Sequence, residues 1–158
     1  MNVLFEPNIG SIALKLVTAA CLGMLIGLER KSSHKEAGLR TFALIATGCA
    51  LFVALGTDVT PILFPVSQFP GQGTTAMPII ASLVTGLGFL GAGIIIFHDE
   101  KVRGLTTAAS VWTTAAVGAT VGLGMYEIAI IAAAVVLFIL IVGWQIEKRV
   151  LKLTEDDK

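Results

Sequence analysis

Apolar and small residues gather into five long runs along the 158-residue chain, and charge gathers between them. Ile9 to Leu28 contains one charged residue, Lys15. Thr41 to Gly56, Ala76 to Phe97, Leu105 to Tyr126 and Ile128 to Ile146 contain none. A bilayer core takes about 20 apolar residues per helix, with a range of about 17–25. Four runs reach that length directly, and the Thr41 run reaches it by borrowing Leu39 and Arg40. Backbone amides in hydrocarbon find partners only within a helix or a closed barrel, so each run predicts a helix. The expected fold is all-α: a polytopic bundle of five transmembrane helices over residues 1–150, with a short charged tail at 151–158.

Composition agrees with lipid as the solvent. Hydrophobic residues make up 55% of the chain and charged residues 14%, with a mean hydropathy of +0.87. A soluble domain carries roughly 25% charge, more than this chain could place on its surface. Net charge is zero, so no general attraction to nucleic acid is implied. The first run reads as a mature helix rather than a cleaved leader. Glu6 precedes it, no basic residue does, and Arg30-Lys31 follows, which is the reverse of a leader's polarity.

The distribution of Lys and Arg sets an expected orientation. The connection after the first run holds Arg30, Lys31, Lys35 and Arg40, the one after the third holds Lys101 and Arg103, and the tail holds Lys148, Arg149, Lys152 and Lys158. The connections Thr57 to Thr75 and Met125 to Glu127 hold none. By the positive-inside rule the N-terminus lies outside and the C-terminus in the cytoplasm. Lys15 alone falls on the other side, where it can snorkel outward. The outer connection carries Pro61, Pro65 and Pro70 and runs on to Pro78. Proline excludes a continuous helix, and Phe64 and Phe69 suggest a segment in the interface or a short re-entrant piece.

Gly86-Leu-Gly88-Phe-Leu-Gly91 matches the dinucleotide-binding spacing G-x-G-x-x-G. That fingerprint needs a preceding strand and an acidic residue about 20 positions on. Val111 and Trp112 stand there instead, and the glycines lie within an uncharged span. Gly86, Gly88, Gly91 and Gly93 therefore read as close-packing positions, since small residues let backbones approach where lipid supplies no hydrophobic force between helices. Gly23 with Gly27, and Gly118 with Gly122, form two GxxxG pairs with the same reading. In the fourth run Thr106, Ser110, Thr113, Val117, Thr120 and Gly124 share one helical face. Its hydroxyls serve either helix packing and bonds to their own backbone or the wall of a polar pathway. Cys21 and Cys49 read as two small buried hydrophobes at similar depth.

Glu29, Asp99 and Glu100 fall at helix C-termini, and Arg40 and Arg103 at N-termini, against the helix dipole. Mutual pairing of Glu29 or Asp99 with Arg40 or Arg103 accounts for the placement; solvated membrane flanks are the plainer alternative. His98 beside Asp99 adds a titratable neighbour. The spacing offers no His-Cys metal constellation, Ser-His-Asp set or phosphate loop. A non-enzymatic protein without a cofactor is expected, and any metal role is left open.

Four ordered motifs resemble the MgtC/SapB family: Gly27-Leu-Glu-Arg30, Ala37-Gly-Leu-Arg-Thr41, Gly88-Phe-Leu-Gly-Ala-Gly93, and Val102-Arg-Gly-Leu-Thr-Thr-Ala-Ala-Ser-Val-Trp112. The resemblance implies a bacterial inner-membrane protein of five helices, linked to growth in low magnesium, acid stress and intracellular survival. It marks Glu29, Arg40, Gly91, Asp99, Arg103, Thr106, Thr107 and Trp112 as functional positions. It implies a short form without the soluble C-terminal domain of longer members. Pro78, Ser82 and Phe42 stand where the family often has Arg, Gln and His, so the chemistry of those groups does not carry over. A regulatory protein is expected, self-associating or binding another membrane protein, with the F-type ATP synthase as the partner that the resemblance offers. A small homo-oligomeric ion transporter or channel, for magnesium or protons, is the alternative.

The charge alternation makes a direct prediction: alkaline phosphatase fused to the C-terminus will be inactive in cells. Periplasmic activity of that fusion would invert the orientation.

Overall fold

A computed structural model describes residues 8–35, 37–59, 76–98 and 101–156, and within them each apolar run is helical over most of its length. The order is α1 (Ile9–Ser32), α2 (Leu39–Ala54), a π-helical turn (Leu55–Val59), α3 (Ala76–Ile94), β1 (Ile96–His98), β2 (Lys101–Arg103), α4 (Leu105–Gly122) and α5 (Tyr126–Asp156). The Pro-rich connection at 60–75, together with Asp99 and Glu100, lies outside the described residues. Pro78 belongs to the first turn of α3, where its missing N–H costs no helical bond. The backbone of 151–156 forms the last turns of α5 rather than a separate tail.

Helix ends follow from local chemistry. The Asn8 side chain accepts the Ser11 amide at 3.1 Å and so caps α1. At the other end His34 adopts φ 56°, its amide reaches the Lys31 carbonyl, and the Lys35 amide reaches that of Arg30. These are the two bonds of a Schellman motif, with histidine in the left-handed position. The end of α4 repeats it with Gly124 at φ 79°, whose amide bonds Val121 while that of Met125 bonds Thr120. Gly104 precedes α4 at φ 88°, and a β-carbon there would collide with the Ile94 carbonyl. Only glycine meets both conditions.

Ile96 pairs with Arg103, Phe97 with Val102 and His98 with Lys101 in a short antiparallel hairpin. The sequence suggested a simple connection between the third and fourth helices. Ile94-Ile-Ile-Phe97 is a β-branched and aromatic stretch, which suits a strand once the helix has ended.

Packing centres on α2. A β-carbon at Gly23 would stand 2.5 Å from the Phe42 carbonyl oxygen and 2.9 Å from Ala46 Cβ, and one at Gly27 would stand 2.7 Å from Leu39 Cα. From the other side, Gly118 lies against the Ala46 backbone, and a β-carbon at Gly122 would stand 2.7 Å from the Ala50 oxygen and from Val53 Cβ. Both GxxxG pairs thus press on the same helix. The core is built of small residues, with Ala19, Ala46, Ala50, Ala129 and Ala133 among the buried positions, and Ile26 and Phe42 as its bulkier members.

The glycines of α3 behave differently. A β-carbon at Gly86, Gly88 or Gly93 would meet nothing within 4 Å, and one at Gly91 would make ordinary contact with Ala108 at 3.9 Å. Among the described residues nothing packs closely on them, and Ala76 is the one buried residue of α3. Cys21 also departs from expectation: it is exposed, whereas Cys49 is buried.

Among the described residues four helical segments are long and apolar enough to cross a membrane: Ile9–Ser32, Leu39–Val59, Ala76–Ile94 and Tyr126–Arg149. Helix α4 is the more polar fifth. It packs against all four other helices and buries ten residues, Thr107, Ser110 and Thr114 among them. Enclosure by protein is what permits a hydroxyl-rich helix at this depth.

This packing separates the glycines into two classes. Gly118→Ala will lower stability in detergent by about 1–3 kcal/mol through overpacking. Gly93→Ala will change it by less than about 0.5 kcal/mol. Thermal unfolding of both variants checks the contrast, and equal losses would refute it.

Candidate functional site

Polar chemistry within the bundle sits at its two ends, and α4 runs between them. One end carries Glu29 and Arg30, adjacent on the last turns of α1. Arg30 is among the largest fully buried side chains, at 2% exposure. Its Nε donates to Glu29 Oε2, and Ser33 Oγ donates to Glu29 Oε1 at 2.8 Å. A buried guanidinium needs an acid, because an unpaired charge out of water costs several kcal/mol. Glu29 is therefore held at a helix C-terminus by its neighbour in sequence. Arg40 and Arg103 are exposed, and neither pairs with Glu29. The cross-helix clasp expected of Glu29 with Arg40 or Arg103 is replaced by a pair within one helix. Asp99 lies outside the described residues, and the side chain of His98 is likewise not described.

The opposite end holds a pair that the sequence did not announce. Lys15 is 6% exposed, and its Nζ lies 2.6 Å from Asp58 Oδ2. It does not snorkel outward. The π-helical turn after α2 brings Asp58 back over the bundle, where Thr57 Oγ1 donates to Asp58 Oδ1 at 2.7 Å. Lys15 Cε also lies 3.8 Å from the point where a β-carbon on Gly124 would stand, in the turn between α4 and α5. One buried ammonium thus ties α1 to the end of α2 and approaches the α4–α5 turn. Lys15 lies about 9 Å from the start of α1. Asp58 closes the second apolar run at the same end, so opposite charges at matched depth were a readable signal.

The hydroxyls of α4 turn onto their own helix. Ser110 donates to the Thr107 carbonyl, Thr113 to Ala109 and Ser110, Thr114 to Ser110, and Thr120 to Ala116, all within 3.1 Å. Thr107 is buried, while Thr106 and Trp112 are exposed. The family-motif positions are therefore dispersed: Glu29 joins the buried pair, Thr107 the core, and Arg40, Arg103, Thr106 and Trp112 the surface.

Among the described residues no three His, Cys, Asp or Glu side chains converge. Glu29 and Asp58 are each paired with a cation of the protein. Chemically, these sites can fasten helices and respond to whatever breaks an ion pair.

Two double-mutant cycles in detergent test this arrangement. Lys15→Met and Asp58→Asn will show coupling above about 1 kcal/mol, since either change alone strands a largely buried partner. Glu29→Arg with Arg103→Glu will show coupling near zero, because they are not partners. Strong coupling in the second cycle would restore the cross-helix clasp.

Comparison with known proteins places the chain in a lineage. MgtC of Salmonella typhimurium is 42% identical over 124 residues, covering 78% of this chain and 48% of that protein. YhiD of Escherichia coli K12, whose designation is that of a candidate magnesium transporter, is 39% identical, covering 87% of this chain and 63% of its own. SrpB of Synechococcus elongatus is 37% identical, covering 83% and 75%. The chain spans about half the length of the Salmonella relatives. No solved structure matches it. The four apolar spans make it a multi-pass membrane protein, consistent with the bacterial inner membrane. The family model named MgtC family matches residues 16–149, nearly the whole bundle, and the chain belongs to the MgtC family.

Proposed function

We propose that this protein is a non-catalytic regulatory component of the bacterial inner membrane that binds another integral membrane protein or a second copy of itself. Adaptation to low magnesium or acid is the setting, which the family connection supports. The observation that carries this reading is α3. It is a full apolar span with one buried residue, and three of its glycines face open space. Small residues allow close backbone approach between helices, and toward lipid they bring no such gain.

The alternative is a small homo-oligomeric transporter, which the designation of YhiD favours. The one polar face that reads as a pathway spends its hydroxyls on its own backbone, and the buried cations Lys15 and Arg30 are paired. Both features support binding over conduction.

A cysteine at Gly88, in otherwise native membranes, will crosslink to a defined partner, either a second copy or one membrane protein such as a subunit of the F-type ATP synthase. Gly88→Leu will reduce co-purification of that partner. Proteoliposomes of the purified protein will pass magnesium and protons no faster than empty ones. Saturable magnesium flux without any crosslinked partner would replace this reading with the transporter.

A further inference from the structure

Beside the Glu29–Arg30 pair, a groove of about 570 Å³ lies between α1 and α5. Its deeper walls are Leu25 and Leu28 of α1 and Leu137 and Ile141 of α5. Its mouth is polar, with Glu29, Ser33, Trp144 and Gln145. We propose that this groove seats one phospholipid with a primary ammonium headgroup, a phosphatidylethanolamine.

The shape matches a lipid entering from the interface. The walls run from Leu25 to Ser33 and from Leu137 to Gln145, about 12 Å of helix at 1.5 Å per residue. That length takes the upper part of an acyl chain beneath a headgroup. Leu25, Leu28 and Ile141 are each about half exposed, so the chain finds apolar surface that the protein does not cover. Trp144 stands at the mouth, the level at which indole rings prefer the membrane interface.

Charge selects the headgroup. Glu29 is the one charged side chain in the walls. Each of its oxygens accepts one protein hydrogen bond, from Ser33 and from Arg30. A carboxylate oxygen has two lone-pair sites, so a second acceptor position remains on each. A primary ammonium offers three N–H donors to those positions. A quaternary choline offers none, and an anionic headgroup without an ammonium meets the carboxylate with like charge. The phosphate of the same lipid, two carbons away, faces the cationic rim. Lys148 lies there, its Nζ 3.9 Å from the centroid of the Trp144 ring, and Arg149, one turn beyond Gln145, is exposed, as is Glu147. Cations at this level attract phosphate. The acid within and the predominantly basic rim thus match the ammonium–phosphate order of the headgroup.

The test uses the full chain purified in detergent and stripped of lipid. Phosphatidylethanolamine, phosphatidylcholine and phosphatidylglycerol of identical acyl chains are added separately, and Tm and native mass are recorded. The expected result is one retained phosphatidylethanolamine per chain, with Tm raised by at least about 4 °C beyond either other lipid. Glu29→Gln will remove the preference for ethanolamine over choline. Because that change also disturbs Arg30, Ile141→Trp and Leu28→Phe provide independent variants. Both fill the groove, leave the Glu29–Arg30 pair in place, and will abolish the lipid-specific gain while the lipid-free Tm stays close to the parent. Equal stabilisation by all three lipids, a preference for phosphatidylglycerol, or an unchanged ethanolamine preference in both groove-filling variants would each overturn the proposal. So would loss of a lipid-independent dimer in those variants, which would identify the groove as a contact between copies.

Discussion

The bundle depends on how closely backbones approach α2. Gly23 of α1 and Gly118 of α4 both bear on Ala46, from different sides, and Gly122 bears on Ala50 and Val53. In lipid there is no water to drive apolar surfaces together, so helices associate through dispersion contacts and short-range polar ones. Those contacts fall steeply with separation. A methyl group at any of these glycines would hold two backbones apart and forfeit contacts along both helices. The alanine-rich core reflects the same demand.

Close packing around α2 explains why α4 can be polar. Ten of its residues are buried, and its hydroxyls donate to carbonyls three or four residues back. Such bonds satisfy the hydroxyl without calling on a neighbouring helix. The other four helices cover it, so lipid meets only part of its surface, including Trp112. At the bundle's ends, buried Lys15 and Arg30 each find an acid within reach, Asp58 through a π-helical turn and Glu29 through the next position along α1. A buried charge with a partner is tolerable, and without one it destabilises by several kcal/mol. The pairs therefore fix the ends that the glycines bring together, and the π-helical turn has a structural reason.

Helix α3 stands apart. It joins the bundle mainly through α4 and through Gly104, where the chain turns tightly under Ile94. Its glycine face is open, and a groove of about 640 Å³ without charged walls separates it from α2. A member of the MgtC family thus combines a tightly fastened set of helices with one span whose glycine face meets none of the other described residues closely. That combination is the basis for reading the protein as a binding component. Phe42 fits the same division. It stands where the family resemblance suggested histidine, and it is wholly buried beside Gly23, so here the position serves the core.

Sequence by itself determined the solvent, the number of helices and the family. Five long apolar runs, with Lys15 as their single charge, satisfy their amides in lipid as helices, and run length is a property of the chain alone. The GxxxG pairs of α1 and α4 were also legible, because their spacing places both glycines on one face. The same reasoning could not say what approaches the α3 glycines, since spacing shows that a helix can be approached closely and not whether a neighbour is there. The partners of the charges were decided by tertiary structure. Glu29 took Arg30 because α1 packs so that Arg30 is buried, and an exposed Arg103 has no need of a carboxylate. Lys15 found Asp58 only because a π-helical turn, invisible in a hydrophobic pattern, rotated Asp58 over the bundle. Hydrophobic patterns record what each residue prefers as solvent, and pairing depends on which groups the packed backbone brings within hydrogen-bond reach.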